Sequence, residues 1–489
     1  MKKINYSLLI YLIFSIVFIS CTKNNDIEVP QNIEIQDFVW KGMNSWYNWQ
    51  SGVPNLADSK NDDTNAYFSY LNSYSNPDSL FESLLYNPGT TDRFSWFIDN
   101  YEVQNNAFQG ISTSFGFRLQ AVTTNGSGNI IIYVRYVAPN SPASNSGIQR
   151  GDIINALNGS VLNESNYNNV IKGFNNETIT LSFVSESNDI LTPIEDKTIT
   201  AIELSEDPVH FKTVFNNIDG GKVGYLVYNS FRSSYNDELN AAFSYFQSEG
   251  IDELILDLRL NGGGAVLTAT YLASMIYNNA NENVFAELKF NSKHSNEDGF
   301  YYFDNTLDVY NSNGDNIGQE SINRLTSINQ LYVLTSSSTA SASEMIINGL
   351  KPFIPVKVVG TTTYGKNVGS ITLYDSPSSK YTSISSANPN HLKAMQPIVF
   401  QIYNKIGQSD YAEGFAPDIE VKEYNFWNAI LPFGDENEVV LKAALDDIRG
   451  LSGKSESTLK YKNSKAFNVI VLEDKFEKEM YIDSDFFNQ

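Results

Sequence analysis

The pattern of hydrophobic and polar positions divides the 489-residue chain into regions of different character. Residues 36–108 carry Trp, Tyr, Phe and Leu at mixed three-to-four spacing, which predicts a small N-terminal helical domain. Residues 109–205 contain short apolar runs separated by turns, which predicts a β domain. From 206 to 450, apolar runs alternate with helical segments, which predicts an α/β domain with a largely parallel sheet. Residues 451–489 form a charged tail whose order the pattern does not decide.

The N-terminus has the features of a targeting segment. Lys2 and Lys3 precede an apolar run at 8–19, which is short for a membrane span and suited to a signal peptide covering residues 1–20. Cys21 follows directly, and the segment resembles a bacterial lipoprotein signal, in which this cysteine is lipidated. The resemblance implies a tether at 21–35 and a protein anchored to a membrane of the cell envelope, periplasmic or surface-exposed. The alternative is an ordinary cleaved signal with an incidental cysteine.

Charge and cysteine content exclude several classes of function. The formal net charge is −23, which argues against a nucleic-acid partner because phosphate binding needs a basic surface. Cys21 is the only cysteine, so a disulfide within the chain is impossible and a cysteine-based metal site is not expected. We expect no cofactor and no metal.

Turn and strand motifs follow one another in a specific order in the predicted β domain. Phe115-Gly116-Phe117 precedes the first strand, Ser-Pro-Ala begins at Ser141, and residues 147–154 read Gly-Ile-Gln-Arg-Gly-Asp-Ile-Ile. Each motif alone is a plain turn, but their order resembles a PDZ domain. The resemblance implies that a peptide C-terminus adds as a strand and that backbone N–H groups at 115–117 hold its carboxylate.

Three apolar strands of the α/β domain each end in an unusual loop. The strands lie at 254–258, 331–334 and 356–360, and helices connect them. Because such βαβ units return each strand parallel to the last, the three loops should meet at the carboxyl edge of one sheet. Ser341 follows the second strand and Lys366 follows the third, so we expect the two side chains to converge.

Serine attacks a carbonyl carbon efficiently only when a base takes its proton. The chain has three histidines, and none lies in these loops (His210, His294 and His391). A lysine buried in an apolar site can lose its charge, because desolvation disfavours the ammonium form. Ser341 as nucleophile and Lys366 as general base are therefore the candidate pair.

The same edge offers donors for a developing oxyanion. A helix is expected to begin next to Ser341, where backbone N–H groups have no partner within the helix. The Ala342 N–H, together with an N–H from Gly262, Gly263 or Gly264, would bind the oxyanion, and one such donor lowers a barrier by ~3 kcal/mol.

These motifs together resemble peptidase family S41, the C-terminal-processing and tail-specific proteases. The matching pieces are Ala-Ser-Ala-Ser-Glu at 340–344, Lys366 in the family's spacing, Asp-Leu-Arg-x-Asn-x-Gly-Gly at 257–264, and Gly-x-x-Pro-Asp at 414–418. The resemblance implies a multidomain protein whose α/β catalytic domain has the ClpP/crotonase-like fold. It also implies a Ser–Lys dyad that cleaves proteins or peptides with free C-termini, without a metal.

Two positions depart from the family pattern. Some members carry Asp eleven residues after the nucleophile, where this chain has Pro352, and many carry Gln four residues after the lysine, where it has Ser370. The third, supporting role is therefore open between Glu344 and Ser370. Asp257 and Arg259 are expected to be structural and to pair with neighbours near the loop.

Two other functions are compatible with parts of the sequence. A non-catalytic protein that binds peptides or other ligands on the same fold is the alternative, although the retention of both Ser341 and Lys366 favours an enzyme. A carbohydrate-associated lipoprotein is less well supported, because no pair of carboxylates suited to glycan hydrolysis is visible.

Overall fold

The computed structural model describes residues 29–124, 128–279, 283–311, 314–325, 328–451, 462, 464–467 and 475–482. The predicted signal peptide and Cys21 lie outside the described residues, so the lipoprotein assignment stays a prediction. Among the helices that are described, none is long and apolar enough to span a bilayer.

The N-terminal region is helical, as predicted, and ends in a short strand and a further helix. Its elements are α1 (Glu34–Trp46), α2 (Thr64–Asn72), α3 (Pro77–Ser83), β1 (Trp96–Ile98) and α4 (Tyr101–Phe108). Asp63 caps α2 by accepting from two backbone N–H groups, and Asn76 caps α3 ahead of Pro77. The apolar face of α1, including Phe38 and Trp46, is buried in the main hydrophobic core of the molecule.

The β domain that resembles a PDZ domain, called the PDZ domain below, contains an antiparallel sheet and two short helices. Its elements are β2 (Ile111–Ser114), β3 (Phe117–Thr123), β4 (Ile130–Val137), α5 (Pro142–Asn145), β5 (Ile153–Leu157), β6 (Ser160–Val161), α6 (Tyr167–Val170), β7 (Thr178–Ser187), β8 (Ile190–Thr200) and β9 (Ile202–Ser205). Strands β3, β4, β5, β7 and β8 pair antiparallel in that order, and β2 pairs with β9. The domain has a hydrophobic core of its own.

The α/β domain contains two six-stranded sheets and contributes strands to two smaller sheets. Its helices are α7 (Asn236–Glu249), α8 (Val266–Ile276), α9 (Ala342–Leu350) and α10 (Val439–Ile448). Its strands are β10 (Val209–Ile218), β11 (Gly221–Tyr228), β12 (Glu253–Asp257), β13 (Gly264–Ala265), β14 (Val284–Phe290), β15 (Gly299–Tyr302), β16 (Thr306–Tyr310), β17 (Asn316–Ser321), β18 (Leu331–Thr335), β19 (Val356–Gly360), β20 (Val368–Ser370), β21 (Leu373–Tyr374), β22 (Ala394–Gln396), β23 (Ile398–Asn404) and β24 (Ile419–Glu420).

The first of these sheets confirms the predicted parallel arrangement. Its order is β10-β11-β12-β18-β19-β24, and every pair from β11 onward is parallel. The central strand β18 is buried at all five positions, as its continuous apolar run requires. The three predicted loops therefore leave adjacent parallel strands at one edge.

The second sheet contains a strand from the C-terminal tail. Its order is β13-β26-β20-β23-β14-β15, where β26 is Met480–Tyr481 and follows a short 3-10 helix at Lys475–Lys478. A second tail strand, β25 (Ala466–Phe467), joins the PDZ sheet beside β3. The sequence pattern gave no indication of either strand.

Candidate active site

Ser341 lies at the turn from β18 into α9, in a strained backbone conformation. Its φ is 65° and its ψ is −117°, in the left-handed half of the map that a residue with a Cβ rarely adopts. Such a conformation costs about 1–3 kcal/mol and is concentrated at functional sites. The side chain is fully buried, and its Oγ has no hydrogen-bond partner within the described part of the chain.

Glu344 ties the Ser341 turn to the Lys366 loop. Its Oε2 accepts from the Ser341 N–H and from the Lys366 N–H, each at 2.8 Å. Its Oε1 accepts from the Gly365 N–H at 2.7 Å and from Thr363 Oγ1 at 2.5 Å. Burial raises the pKa of the Glu344 carboxyl, while these donors act in the opposite direction. The carboxylate thus fixes both backbones, and its oxygens are bonded to backbone N–H groups and to Thr363, not to the Lys366 ammonium.

The Lys366 side chain is fully buried, and Gly365 brings its backbone into place. Gly365 has φ +87°, and a Cβ there would lie 2.2 Å from the Ala412 carbonyl oxygen. Lys366 Nζ donates to Glu479 Oε2 at 2.9 Å and to the Lys478 carbonyl at 3.0 Å. The ring centroid of Phe94, in the N-terminal region, lies 4.8 Å from Lys366 Nζ. Burial lowers the pKa of Lys366, and the Glu479 carboxylate opposes that shift.

The glycine loop after β12 packs directly on the Ser341 turn. A Cβ at Gly263 would lie 2.8 Å from Ser341 Cβ and 3.1 Å from the Ala342 nitrogen. The Gly263 N–H itself donates to Asn261 Oδ1 at 2.9 Å in this conformation. Ala342 is the first residue of α9, where the N–H has no partner within the helix. The predicted oxyanion donors are therefore neighbours, with the Gly263 donor engaged by Asn261.

The tail also packs closely on this loop. A Cβ at Gly262 would lie 1.5 Å from a backbone oxygen of the Lys475–Lys478 helix. The Gly264 N–H donates to the Glu479 carbonyl at 2.6 Å. A Cβ at Gly264 would lie 2.1 Å from the Phe231 carbonyl oxygen, so the close packing around this loop requires glycine there as well.

Asp257 and Arg259 form the structural pair that was expected. Arg259 Nη2 lies 2.6 Å from Asp257 Oδ2, and both side chains are almost completely buried. Arg259 Nη1 also lies 2.9 Å from Glu423 Oε1 and 3.0 Å from Glu438 Oε1. This buried ionic cluster thereby fixes the backbone that follows β12.

Two arginines of the PDZ domain extend this cluster across the domain boundary. Arg150 Nη2 lies 2.5 Å from Glu423 Oε1, and Arg135 Nε lies 3.4 Å from Glu423 Oε2. Arg135 Nη2 also donates to the Arg259 carbonyl at 3.2 Å and to Ser336 Oγ at 3.3 Å. The PDZ domain is thus bonded to both the glycine loop and the loop that leads to Ser341.

In the predicted peptide-binding loop of the PDZ domain, at residues 115–117, both phenylalanine side chains are buried. Gly116 has φ +81°, and a Cβ there would lie 2.1 Å from Ser141 Cβ. Phe115 and Phe117 stack on each other with ring centroids 5.7 Å apart and are buried in the PDZ core. The edge strand beside this loop, β3, is paired with the tail strand β25.

Sequence reasoning missed two residues that contact the Lys366 side chain but lie far from it along the chain. Glu479 lies in a charged tail with no motif around it, and Phe94 follows Arg93 in a turn without periodic pattern. No local signal marks either one, because their importance comes from contacts more than a hundred residues away along the chain. In the described ranges, no group of three or more His, Cys, Asp and Glu is placed to hold a metal ion.

Ser341 on a strained strand-to-helix turn is tied through Glu344 to the loop of the buried Lys366, an arrangement expected of a serine hydrolase on an α/β fold. Comparison with known families agrees. Peptidase family S41 matches residues 222–421, the peptidase S41 N-terminal domain matches 34–96, and the PDZ domain matches 107–182. The chain thus carries the peptidase domain of family S41, preceded by the family's N-terminal domain and a PDZ domain.

Relatives and a solved structure give the same picture. The chain is 27% identical over 268 residues to a probable CtpA-like serine protease of Staphylococcus aureus, covering 53% of this chain and 48% of the relative. It is 24% identical over 316 residues to a carboxyl-terminal-processing protease of Picosynechococcus, covering 63% and 64%. A crystal structure from Bacteroides fragilis assigned to the S41 proteases shares 26% identity and superposes with a TM-score of 0.64, covering 85% of this chain and 97% of that one. The chain thus spans about half the length of the staphylococcal relative.

Proposed function

We propose that this protein is a serine endopeptidase that cleaves proteins or peptides near their C-termini, with Ser341 as nucleophile and Lys366 as general base. The observation that carries the proposal is the shared anchor on Glu344, whose Oε2 accepts from both the Ser341 and Lys366 N–H groups. The anchor holds the two loops side by side in a buried site, where a lysine loses its charge more readily than in water.

The reaction begins when neutral Lys366 accepts the Ser341 Oγ proton at Nζ and Oγ forms a bond to the peptide carbonyl carbon. The carbonyl oxygen takes up the negative charge and binds the Ala342 N–H together with the Gly262 N–H, or with the Gly263 N–H once that group leaves Asn261 Oδ1. The ammonium then gives its proton to the departing amine, and water hydrolyses the acyl-enzyme by the same base. Ser341 Oγ is not bonded to Lys366 in this conformation, so substrate binding must bring the two atoms together.

The PDZ domain is proposed to recognise the free C-terminus of the substrate at the backbone of 115–117. Hydrogen bonds from Arg135 to the Arg259 carbonyl and to Ser336 Oγ connect that domain to the catalytic loops, so peptide binding there can affect their conformation. We further propose that Cys21 is lipidated and holds the enzyme at a membrane of the cell envelope.

The experiment compares cleavage of one peptide with a free C-terminus and the same peptide amidated. The Ser341→Ala and Lys366→Ala variants should lose cleavage of both peptides while keeping the wild-type circular dichroism spectrum. The wild-type enzyme should cleave the amide more slowly, mainly through a higher KM, because the carboxylate contact is lost. Full activity of Ser341→Ala would refute the mechanism, and equal KM for both peptides would refute the role of the PDZ domain.

The alternative function, ligand binding without catalysis, is favoured by one observation. Ser341 is fully buried, and its Oγ has no partner in the described residues. Peptide binding with no cleavage by any preparation of the folded wild-type protein would establish that alternative.

A further inference from the structure

Glu479 is the residue that the mechanism above leaves unexplained. Its Oε2 accepts from Lys366 Nζ at 2.9 Å, and its Oε1 accepts from Ser370 Oγ at 2.5 Å. All three side chains are buried. Ser370 lies four residues after Lys366, at one of the two positions where this chain departs from the family pattern.

The segment that carries Glu479 is an integral part of the fold. Strand β26 pairs parallel with β13 on one side and with β20 on the other. Met480 and Ile482 are buried in the main core, and Tyr481 stacks on Phe108 with ring centroids 4.0 Å apart. Glu479 directly precedes this paired strand and the three buried side chains of residues 480–482. Close packing of these neighbours holds the Glu479 backbone in one position.

A chain of buried hydrogen bonds fixes the rotamer of the carboxylate. Gln396 Nε2 donates to Ser370 Oγ at 2.7 Å, and Gln104 Nε2 donates to Gln396 Oε1 at 2.9 Å. Trp96 Nε1 donates to Gln104 Oε1 at 2.9 Å. Because every member is paired, the chain leaves Glu479 little freedom to turn away from Lys366.

We propose that Glu479 is the positioning residue of Lys366 and supplies, from the C-terminal tail, the third role that the motif positions leave empty. This inference rests on the proposed function. The carboxylate aims the lysine Nζ and stabilises the ammonium that forms when the Ser341 proton is transferred. It acts through Lys366 and does not touch the substrate.

The charges around Lys366 determine the sign of the expected pH effect. The carboxylates that face it are Glu479 from the tail, Asp92 from the N-terminal region and Glu344 from α9, and each favours the charged form of the lysine. Burial acts against them and lowers the pKa overall. Removing the Glu479 charge should therefore lower the pKa of Lys366 further, so that the free base forms at lower pH.

The test is the pH profile of kcat/KM for Glu479→Gln, with Glu477→Gln as the matched control. Glu477 is two residues away and partly exposed, and it pairs with Arg118 at 3.2 Å. Glu479→Gln should shift the acidic limb of the profile to lower pH by about 1 to 3 pH units and reduce kcat at least about tenfold. Glu477→Gln should leave the acidic limb in place.

A purely structural role would lower activity without moving the acidic limb, and that result would overturn the proposal. A wild-type profile for Glu479→Gln, with Ser341 and Lys366 still essential, would overturn it and leave the peptidase assignment intact. If Glu479→Gln does not fold, the pKa of Lys366 measured by NMR in Ser341→Ala and in Ser341→Ala/Ser370→Ala proteins decides. Ser370→Ala frees Glu479 to move and should change that pKa, and an unchanged pKa would contradict the proposal.

A different observation carries a second inference, about the PDZ groove. The tail strand β25 pairs antiparallel with β3, with Ala466 opposite Val122 and Phe467 opposite Ala121. Gln120 Nε2 donates to the Phe467 carbonyl at 2.5 Å, and the Phe467 ring lies 5.5 Å from that of Tyr167. The tail thus runs along β3 toward its Phe117 end, as an added peptide strand does.

We infer that residues 464–467 are an intramolecular ligand of the PDZ domain, which a substrate C-terminus must displace. Apparent affinity for a peptide falls in proportion to the fraction of molecules whose groove is open. A tail that occupies the groove for most of the time therefore weakens every competing peptide by the same factor.

The test measures binding of a labelled peptide with the sequence of residues 460–467 and a free carboxylate, by fluorescence anisotropy, to full-length Ser341→Ala protein. Adding Phe467→Asp should tighten Kd about tenfold or more, because the tail loses its packing on Tyr167. The control is Ile194→Asp, the same change at a side chain of β8 that is 61% exposed. Equal Kd for the Ser341→Ala protein and the Ser341→Ala/Phe467→Asp protein, or no binding to either of these two, would overturn the inference.

Discussion

The carboxyl edge of the parallel sheet and the C-terminal tail contribute to the same site in opposite ways. The edge supplies Ser341, Lys366 and the glycine loop, each within a recognisable motif in a loop that follows a strand of the parallel sheet. The tail supplies Glu479 and β25 without any motif, through a strand of two residues at each place. Candidate reactive groups can therefore be predicted from local sequence. The groups that contact them from the tail, such as Glu479, are brought there by long-range contacts of the folded chain.

The largest effect is expected from a substitution at the sheet edge, Gly263→Ala. A Cβ at this position would lie 2.3 Å from the Glu479 carbonyl and 2.8 Å from Ser341 Cβ, and φ is +120°. The loop must shift away from the Ala342 N–H, so kcat/KM should fall by about 10² to 10³-fold, as when one oxyanion donor is lost. Gly220→Ala is the control, because φ is +81° there and nothing lies within 4 Å of the added Cβ. A Gly263→Ala enzyme as active as the control would show that the loop does not shape the site.

A substitution in the tail, Met480→Ala, tests whether β26 is a true part of the core. The side chain is fully buried in the main hydrophobic cluster, so the free energy of unfolding should fall by about 2–5 kcal/mol in denaturant titration. Ile317→Ala, at a side chain that is 64% exposed, should change it by less than about 0.5 kcal/mol. Equal stability of the two variants would mean that the tail strand adds nothing to the fold.

Glu344→Gln tests the anchor that joins the two catalytic loops. The amide has one acceptor oxygen in place of two and brings an NH2 group toward backbone donors, so buried N–H groups lose their partner. We expect a loss of about 1–3 kcal/mol of unfolding free energy, with a fall in kcat. Thermal unfolding and steady-state kinetics measure the two effects. An unchanged kcat in a folded variant would show that the anchor is not needed for catalysis.

The smallest effect is expected away from both regions, at His294. Its ring stacks on Trp46 at 3.5 Å and its Nε2 lies 2.9 Å from Ser45 Oγ, and burial lowers its pKa to about 4. The unfolded chain binds a proton near pH 6.5 whereas the folded protein does not, so stability present above pH 6.5 is lost as the pH falls toward 4. His294→Phe should make the unfolding free energy less dependent on pH, by about 1–2 kcal/mol between pH 6.5 and 4.5. An unchanged slope would mean that this ring titrates normally in the folded state.

The predictable part of the structure is the part that repeated local patterns encode. The apolar runs at 254–258, 331–334 and 356–360 became β12, β18 and β19, side by side and parallel, because crossover helices leave few other arrangements. Helix α9 begins at Ala342, directly after Ser341, where a helix was expected to begin.

The part that was not predictable depends on long-range pairing. The cluster of Arg135 and Arg150 with Glu423 joins residues more than 270 positions apart, and no spacing rule connects them. Glu479 reaches Lys366 from 113 residues away. Short strands such as β25 and β26 are stabilised by the sheets they join, since two residues carry no periodic signal of their own.

The most direct test of the central claim is covalent labelling of the full-length protein with a fluorophosphonate probe, which reacts preferentially with an activated serine. The Ser341–Lys366 mechanism predicts one modified residue, Ser341, by peptide mass mapping, and loss of labelling in the Lys366→Ala variant. Labelling at another residue, or labelling of Ser341 at an unchanged rate in Lys366→Ala, would contradict it.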